Sequence, residues 1–314
     1  MPASPSAAQM SENADRLPPA ATVLYRPDAD LLSALLTPLK HGGRRLFIFV
    51  NGAVDPSIDR LLAELPNVRI ERSDQNVGLG AGLNAVVGAA SEEGFRHILL
   101  LDQDSTPDES LGEALMARFR ALDRPSQPLA GLGPLLLPPA DGGYLPIRYW
   151  RRPPADSQPE GAVDFLPTSG SLVSIAAWRQ VGPFRADYFI GGIDVEWGFR
   201  CWAKGFASAV AGDIIMAHRW GHGGGRSGAG GAQILRESDL RIFYYVRNAL
   251  DGLRLAHMPI RWKSRQVAIL VAQLPLLLIS RRFASLSLRV VARAMRDGWV
   301  GRLGPAPDDL FARE

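Results

Sequence analysis

From Thr22 to about Leu137 the chain alternates between short apolar runs and amphipathic stretches. Thr22–Tyr25, Arg45–Val50, Val68–Arg72 and the run ending at Leu101 have the length and apolar content of strands buried in a sheet. Leu31–Leu39, Ile58–Leu65 and Gly78–Ala90 read as helices. In the last of these, Leu79, Leu83, Val86, Val87 and Ala90 share one helical face. Thr106-Pro107-Asp108-Glu109 predicts a further helix start, with Thr106 as N-cap, proline at the first position and Glu109 closing a capping box. Strands separated by short helices predict an α/β fold with a mostly parallel, doubly wound sheet flanked by helices.

Order weakens between Pro138 and Pro159, and a second apolar unit, Phe165–Ile175, follows with Ser169-Gly170-Ser171 inside it. Gly221–Ala232 contains seven glycines and predicts a mobile loop. Beyond it the pattern is helical. The expected organisation is a disordered tail over 1–21, an α/β domain over 22–232, a helical region over 233–304 and a short tail over 305–314.

Composition narrows the function classes. The 314 residues are 46% hydrophobic and 21% charged with a formal net charge of +3, which is globular and gives no average signature of a nucleic-acid binder. The single cysteine, Cys201, excludes an intrachain disulfide and fits a reducing compartment. Residues 1–21 are rich in Ala, Pro and Ser and lack the basic and apolar segments of a signal peptide. The longest apolar stretch, Val267–Ile279, has thirteen positions and is too short to span a bilayer. A cytoplasmic location is therefore expected. Residues 236–302 carry twelve Arg and one Lys against four acids. Such a face suits peripheral contact with anionic lipid or a charged acceptor, and equally a solvated helical surface.

Asp102-Gln103-Asp104 follows the apolar run His97–Leu101, at the strand end where open α/β sheets bind ligands. Two acids so placed suit a hard divalent cation or direct chemistry. They could also be a polar strand end. Asp-x-Asp-x-Thr further fits the nucleophile and acid of a haloacid-dehalogenase-type phosphatase, with Asp102 attacking phosphate. That reading needs a downstream lysine and a second acidic pair. Lys204 and Asp213 come nearest, but Ile-Ile-Met-Ala follows Asp213, and three strand candidates precede the motif.

Asn76-Val77-Gly78-Leu79-Gly80-Ala81-Gly82-Leu83-Asn84 misses the dinucleotide fingerprint because Leu83 stands where its third glycine belongs. Its glycines could still let backbone approach a ligand, or simply begin a helix. In Gly191-Gly192-Ile193-Asp194-Val195-Glu196-Trp197, two glycines deliver acids into a first helical turn, where the helix dipole also favours them. Positions i and i+2 do not share a face, so one of Asp194 and Glu196 should meet a reacting centre. His218 ends the apolar run Ile214–Ala217 at the base of the glycine loop, a candidate metal or phosphate contact. Arg247, beside Tyr244 and Asn248, could bind pyrophosphate or cap a packing surface.

Taken in order, these motifs resemble the inverting family-two glycosyltransferases of GT-A fold, and among them the bacterial rhamnosyltransferases, from about Thr22 to about Gly304. The resemblance implies the transfer of L-rhamnose from dTDP-L-rhamnose to a glycan or lipid-linked acceptor. It makes Asp194 the catalytic base. Asp102, Asp104 and His218 become a site for Mg²⁺ or Mn²⁺. Asn51, Asn76, Gly78, Asn84, Asp102, Asp104 and Arg247 fall on the donor side, and Ser169, Gly170, Glu196 and Trp197 on the acceptor side. The chain departs from the family at Val50-Asn51, where relatives carry Asp-Asn for the nucleobase. It departs also at Tyr25-Arg26-Pro27, where they have Tyr-Asn-Pro, and at Gly191, where they often carry an acid.

Overall fold

A computed structural model describes residues 17–40, 43–138, 149–153, 155, 158–218 and 237–311. Most of the expected N-terminal tail and the glycine-rich loop 221–232 lie outside the described residues.

The first half follows the expected alternation: β1 (Ala20–Leu24), α1 (Ala29–Lys40), β2 (Leu46–Asn51), α2 (Pro56–Ala63), β3 (Val68–Ser73), α3 (Leu79–Glu92), β4 (His97–Leu101) and α4 (Leu111–Leu122). Then come β5 (Leu129–Leu137), β6 (Ala162–Val163), β7 (Ser171–Ser174), α5 (Ile175–Val181), α6 (Ile193–Ala203) and β8 (Ala207–Ala217). The helical region is α7 (Asp239–Arg254), α8 (Ile260–Ser280), α9 (Ser285–Val300) and α10 (Asp308–Phe311). β1 begins at Ala20, so the last two residues of the expected tail belong to the sheet.

The strands form one eight-stranded sheet in the order β3-β2-β1-β4-β7-β5-β8-β6. β1 to β4 pair in parallel, as their apolar sequences require. Beyond β4 the sheet is mixed, because β7 runs antiparallel to both β4 and β5 while β5 and β8 are parallel. Leu24, Leu32, Ile48, Leu99 and Leu115 fill the core on one face, and Phe47, Val86, Ile98, Val173 and Cys201 fill it on the other.

The capping box expected at Thr106 does not form. Thr106 makes an antiparallel bridge to Ala217, and α4 starts five residues later. Asp108 organises that entry by accepting from the Ser110 amide at 2.9 Å and hydroxyl at 2.6 Å. The bridge draws the residues after Asp104 against the end of β8, beside His218.

The helical region is no detached appendage. Its core of Ile242, Phe243, Val246, Leu277 and Val290 packs against Phe189 and Ile190, which lead into α6.

Candidate active site

β4 ends at Leu101, and the next three residues turn across the carboxyl edge of the sheet. The Ser105 amide closes the turn on the Asp102 carbonyl at 3.0 Å. Gln103 ties it to β1: its Oε1 accepts from the Tyr25 amide at 2.8 Å, and its Nε2 donates to the Tyr25 carbonyl at 3.2 Å. Ser105 and Ser169 share a buried hydroxyl hydrogen bond of 2.6 Å. The spacing of acids drew attention to this turn, but Gln103 and Ser105 fix its shape, and only pairing with distant residues reveals that.

Asp102, Asp104 and Asp194 converge. Burial, then the charges of Asp104 and Asp194, push the Asp102 carboxyl up to about 7. Burial likewise raises Asp194 to about 6, against hydrogen bonds from its own amide and that of Val195. A raised carboxyl at a helix start is informative, since the dipole there acts the other way. His218 is buried and held below its ordinary value by desolvation, with Asp104 pulling it back up. Among the described residues, no group of three His, Cys, Asp or Glu side chains is arranged to hold a metal ion. The paired carboxylates are hard oxygen donors, however, and Mg²⁺ is commonly held by one or two carboxylates completed by substrate phosphates. The residues therefore fit a cation that arrives with a diphosphate, rather than one caged by protein alone.

Asp194 is delivered by an unusual loop. Phe189 sits at φ +66°, and Gly191 and Gly192 at φ +82° and +76°. A non-glycine residue there stores strain and persists only if its surroundings hold it. The Phe189 carbonyl accepts from the Leu79 amide at 2.6 Å, and its ring stacks on Tyr244 at 5.1 Å. Gly78 serves this contact, because a Cβ there would lie 2.8 Å from the Phe189 oxygen.

Several residues expected on the donor or acceptor side have structural tasks. Arg247, 1% exposed, donates to the carbonyls of Gly304, Asp187 and Tyr188 and to Asn248 Oδ1, so its guanidinium faces backbone and not a diphosphate. Asn248 donates to the carbonyls of Tyr188, Ile190 and Gly191 at 3.1, 3.0 and 2.8 Å. Asn84 brackets the Phe184 backbone and accepts from Trp178. Glu196, 1% exposed, is gripped by Arg200 at 2.9 and 2.8 Å, with His257 Nε2 2.9 Å away. Trp197 is buried with its indole donating to Gly182. Ser169 lies under the Asp102 turn, and Gly170 donates to the Leu100 carbonyl at 2.8 Å. Asn51 and Asn76 bind each other at 3.0 Å, and each also accepts from the loop that opens α3. These polar side chains build and brace the site's walls. The expected divergence of Asp194 and Glu196 is present.

Among the described residues the phosphatase candidates are not brought together. Lys204 caps the far end of α6, roughly 15 Å of helix from Asp194. Asp213 is exposed and lies 3.9 Å from Arg118.

The mixed sheet, with acids at its carboxyl edge and a half-buried acid opening α6, has the architecture expected of the GT-A fold. The S. aureus TarS 1–349 structure in complex with UDP-GlcNAc superposes with a TM-score of 0.53 at 12% identity, over 94% of this chain and 83% of that one. Another S. aureus TarS 1–349 structure gives 0.51 at 12% identity, over 91% and 92%. No protein-family model matches the sequence. The dTDP-rhamnosyl transferase RfbF of Shigella flexneri is 26% identical over 270 residues, 84% of this chain and 88% of that protein. The N-acetylglucosaminyl-diphospho-decaprenol L-rhamnosyltransferase of Mycobacterium tuberculosis is 27% identical over 249 residues, 68% and 78% of the two chains. The chain is thus similar in sequence to these two rhamnosyltransferases and in fold to TarS.

Proposed function

We propose that the protein is an inverting rhamnosyltransferase using dTDP-L-rhamnose, with a lipid-linked or surface saccharide as acceptor. The observation that carries the reading is the convergence of Asp102, Asp104 and Asp194 at one edge of the sheet. The names of the Shigella and Mycobacterium relatives support the donor sugar.

Asp194, raised to about 6, is ionised near neutral pH yet basic enough to take a proton. It removes the proton of the acceptor hydroxyl as that oxygen bonds to the anomeric carbon. The glycosyl–phosphate bond breaks on the opposite face, and the nucleoside diphosphate leaves with the electron pair. Asp102 and Asp104 would hold Mg²⁺ or Mn²⁺ with the donor diphosphate, and His218, which feels the Asp104 charge, would join them. When bound, the ion offsets the charge that develops on the departing diphosphate. Asn51 and Asn76 shape the wall beside β2, where Val50 replaces the family's carboxylate. The helical region braces the loop that carries the base, and its basic helices are the side on which membrane contact is expected.

Calorimetric titration with dTDP, UDP and GDP sugars, with and without Mn²⁺, tests the reading. dTDP-L-rhamnose should bind most tightly, and only with metal should Asp104→Ala weaken it. Metal-independent binding that survives Asp104→Ala would refute the proposed donor site.

A further inference from the structure

The helical region carries an apolar surface that the site does not use. α8 exposes Val267, Val271 and Ile279, with Val271 at 69% and Ile279 at 57%. On α9, Leu288, Met295 and Trp299 are spaced i, i+7 and i+11, which places them in one narrow stripe. All three are exposed, Trp299 at 72%. Arg289 and Arg296 each follow a stripe residue and are exposed along one flank. Phe283, in the turn between the helices, is also exposed, at 57%.

The charge says what covers this face. Between Pro259 and Leu303 the chain has nine basic residues and one acid, Asp297. That acid is buried and paired with Arg293 at 2.7 Å. A second copy docking here would bring two sets of cations together with no acid to answer them, which disfavours self-association. An anionic bilayer answers both features: its headgroups meet the arginines, and its acyl boundary takes the valine, isoleucine and tryptophan side chains. No helix among the described residues is long and apolar enough to cross a membrane, so the fit is to lying in the surface.

We infer that the α8–α9 hairpin docks flat on an anionic lipid surface, with the Val271–Ile279 and Leu288–Trp299 faces immersed. The inference rests on the proposed transfer only for its purpose. The same helical core packs on Phe189 and Ile190, so the loop that carries Asp194 is attached to the docked hairpin.

Flotation of the full chain with vesicles tests this without any substrate. The chain should float with vesicles of phosphatidylcholine containing about a third phosphatidylglycerol, and about tenfold less with phosphatidylcholine alone. Val271→Ser/Ile279→Ser/Trp299→Ser should lose about tenfold in partitioning with its thermal unfolding unchanged, since each residue is exposed. Arg282→Gln/Arg289→Gln/Arg296→Gln should erase the preference for anionic vesicles. The intrinsic tryptophan emission should shift to the blue on binding, and the shift should be smaller in Trp299→Phe. Absence of flotation, or equal flotation by the serine variant, overturns the proposal. So does a dimer in solution that the serine variant dissociates while neither protein floats. If the chain turns over no nucleotide sugar but floats as described, the proposed function fails and the docking surface stands.

Discussion

Asn248 is the sharpest place to perturb the loop that delivers Asp194. Its amide reaches three carbonyls, those of Tyr188, Ile190 and Gly191. An amide has two N–H donors, so the three contacts amount to about two hydrogen bonds. The Tyr188 carbonyl keeps Arg247 Nη2 and the Ile190 amide as partners, and that of exposed Gly191 can be hydrated. Asn248→Ala should therefore cost about 3 kcal/mol, since the Arg247 Nε bond to Oδ1 is lost along with the amide's donations and the Ile190 carbonyl is left poorly satisfied. Asn248→Asp is nearly isosteric but aims acceptors at the same carbonyls. It should cost about 1 kcal/mol more than alanine despite its charge partner in Arg247. For a chain of this size the alanine variant should melt about 5 °C lower. Released from its clamp, Phe189 can leave its positive φ and carry Asp194 off line. A shift of the base by a fraction of an ångström should reduce kcat about tenfold, with KM for the donor little changed. Thermal unfolding and steady-state release of nucleoside diphosphate measure the two effects. An aspartate variant as stable as the parent, or full kcat in both variants, would refute the clamp.

Further expectations concern the carboxylates. Asp194→Asn should abolish transfer while leaving nucleotide binding intact, and the acid limb of kcat/KM in the parent should lie near pH 6 rather than near 4. Asp102 is held above its unfolded value, so the folded state binds the extra proton and loses stability as pH rises from about 4 to about 7. Asp102→Asn should flatten that loss and unfold about 2 kcal/mol later at pH 8, while metal-dependent donor binding disappears in calorimetry. Glu196 runs the other way. Burial raises its pKa, but His257 and Arg200 pull it below the ordinary value, so its contribution is present above that value and fades as pH falls through the lowered one. Glu196→Gln should cost about 3 kcal/mol at pH 7 by denaturant titration and leave the order of donor preference unchanged. Gly78→Ala should destabilise by about 2 kcal/mol and slow transfer, because its φ of +88° is unfavourable and the new methyl meets the Phe189 oxygen.

The apolar rhythm from Thr22 onward was enough to place β1 to β4 and the helices between them, because a buried parallel strand and an amphipathic helix each leave a local signature. The mixed half of the sheet was not legible. β7 has four residues and β6 two, too few to carry a period, and their pairing is set by strands far away in sequence. The misplaced start of α4 has a similar cause: Thr106 is a good N-cap locally, but its bridge to Ala217 lies 111 positions away. Within the candidate site, acid spacing singled out Asp102, Asp104 and Asp194, and the charges of the last two act on Asp102. It could not say where the other polar residues point. Asn84 finds its partner at Phe184 and Arg247 finds Gly304 and Tyr188, partners that motif spacing does not reveal.

The shared core of Phe189, Ile190 and α7 has a practical consequence for recombining parts of such enzymes. A chimera cut at the glycine-rich segment would take its Asp194 loop from one parent and the residues holding that loop from another. Swaps meant to change acceptor choice should therefore carry residues 186–192 together with Arg247, Asn248 and the Gly304 turn. With those pieces moved as a unit, the exposed faces of α8 and α9 can be exchanged without disturbing the base.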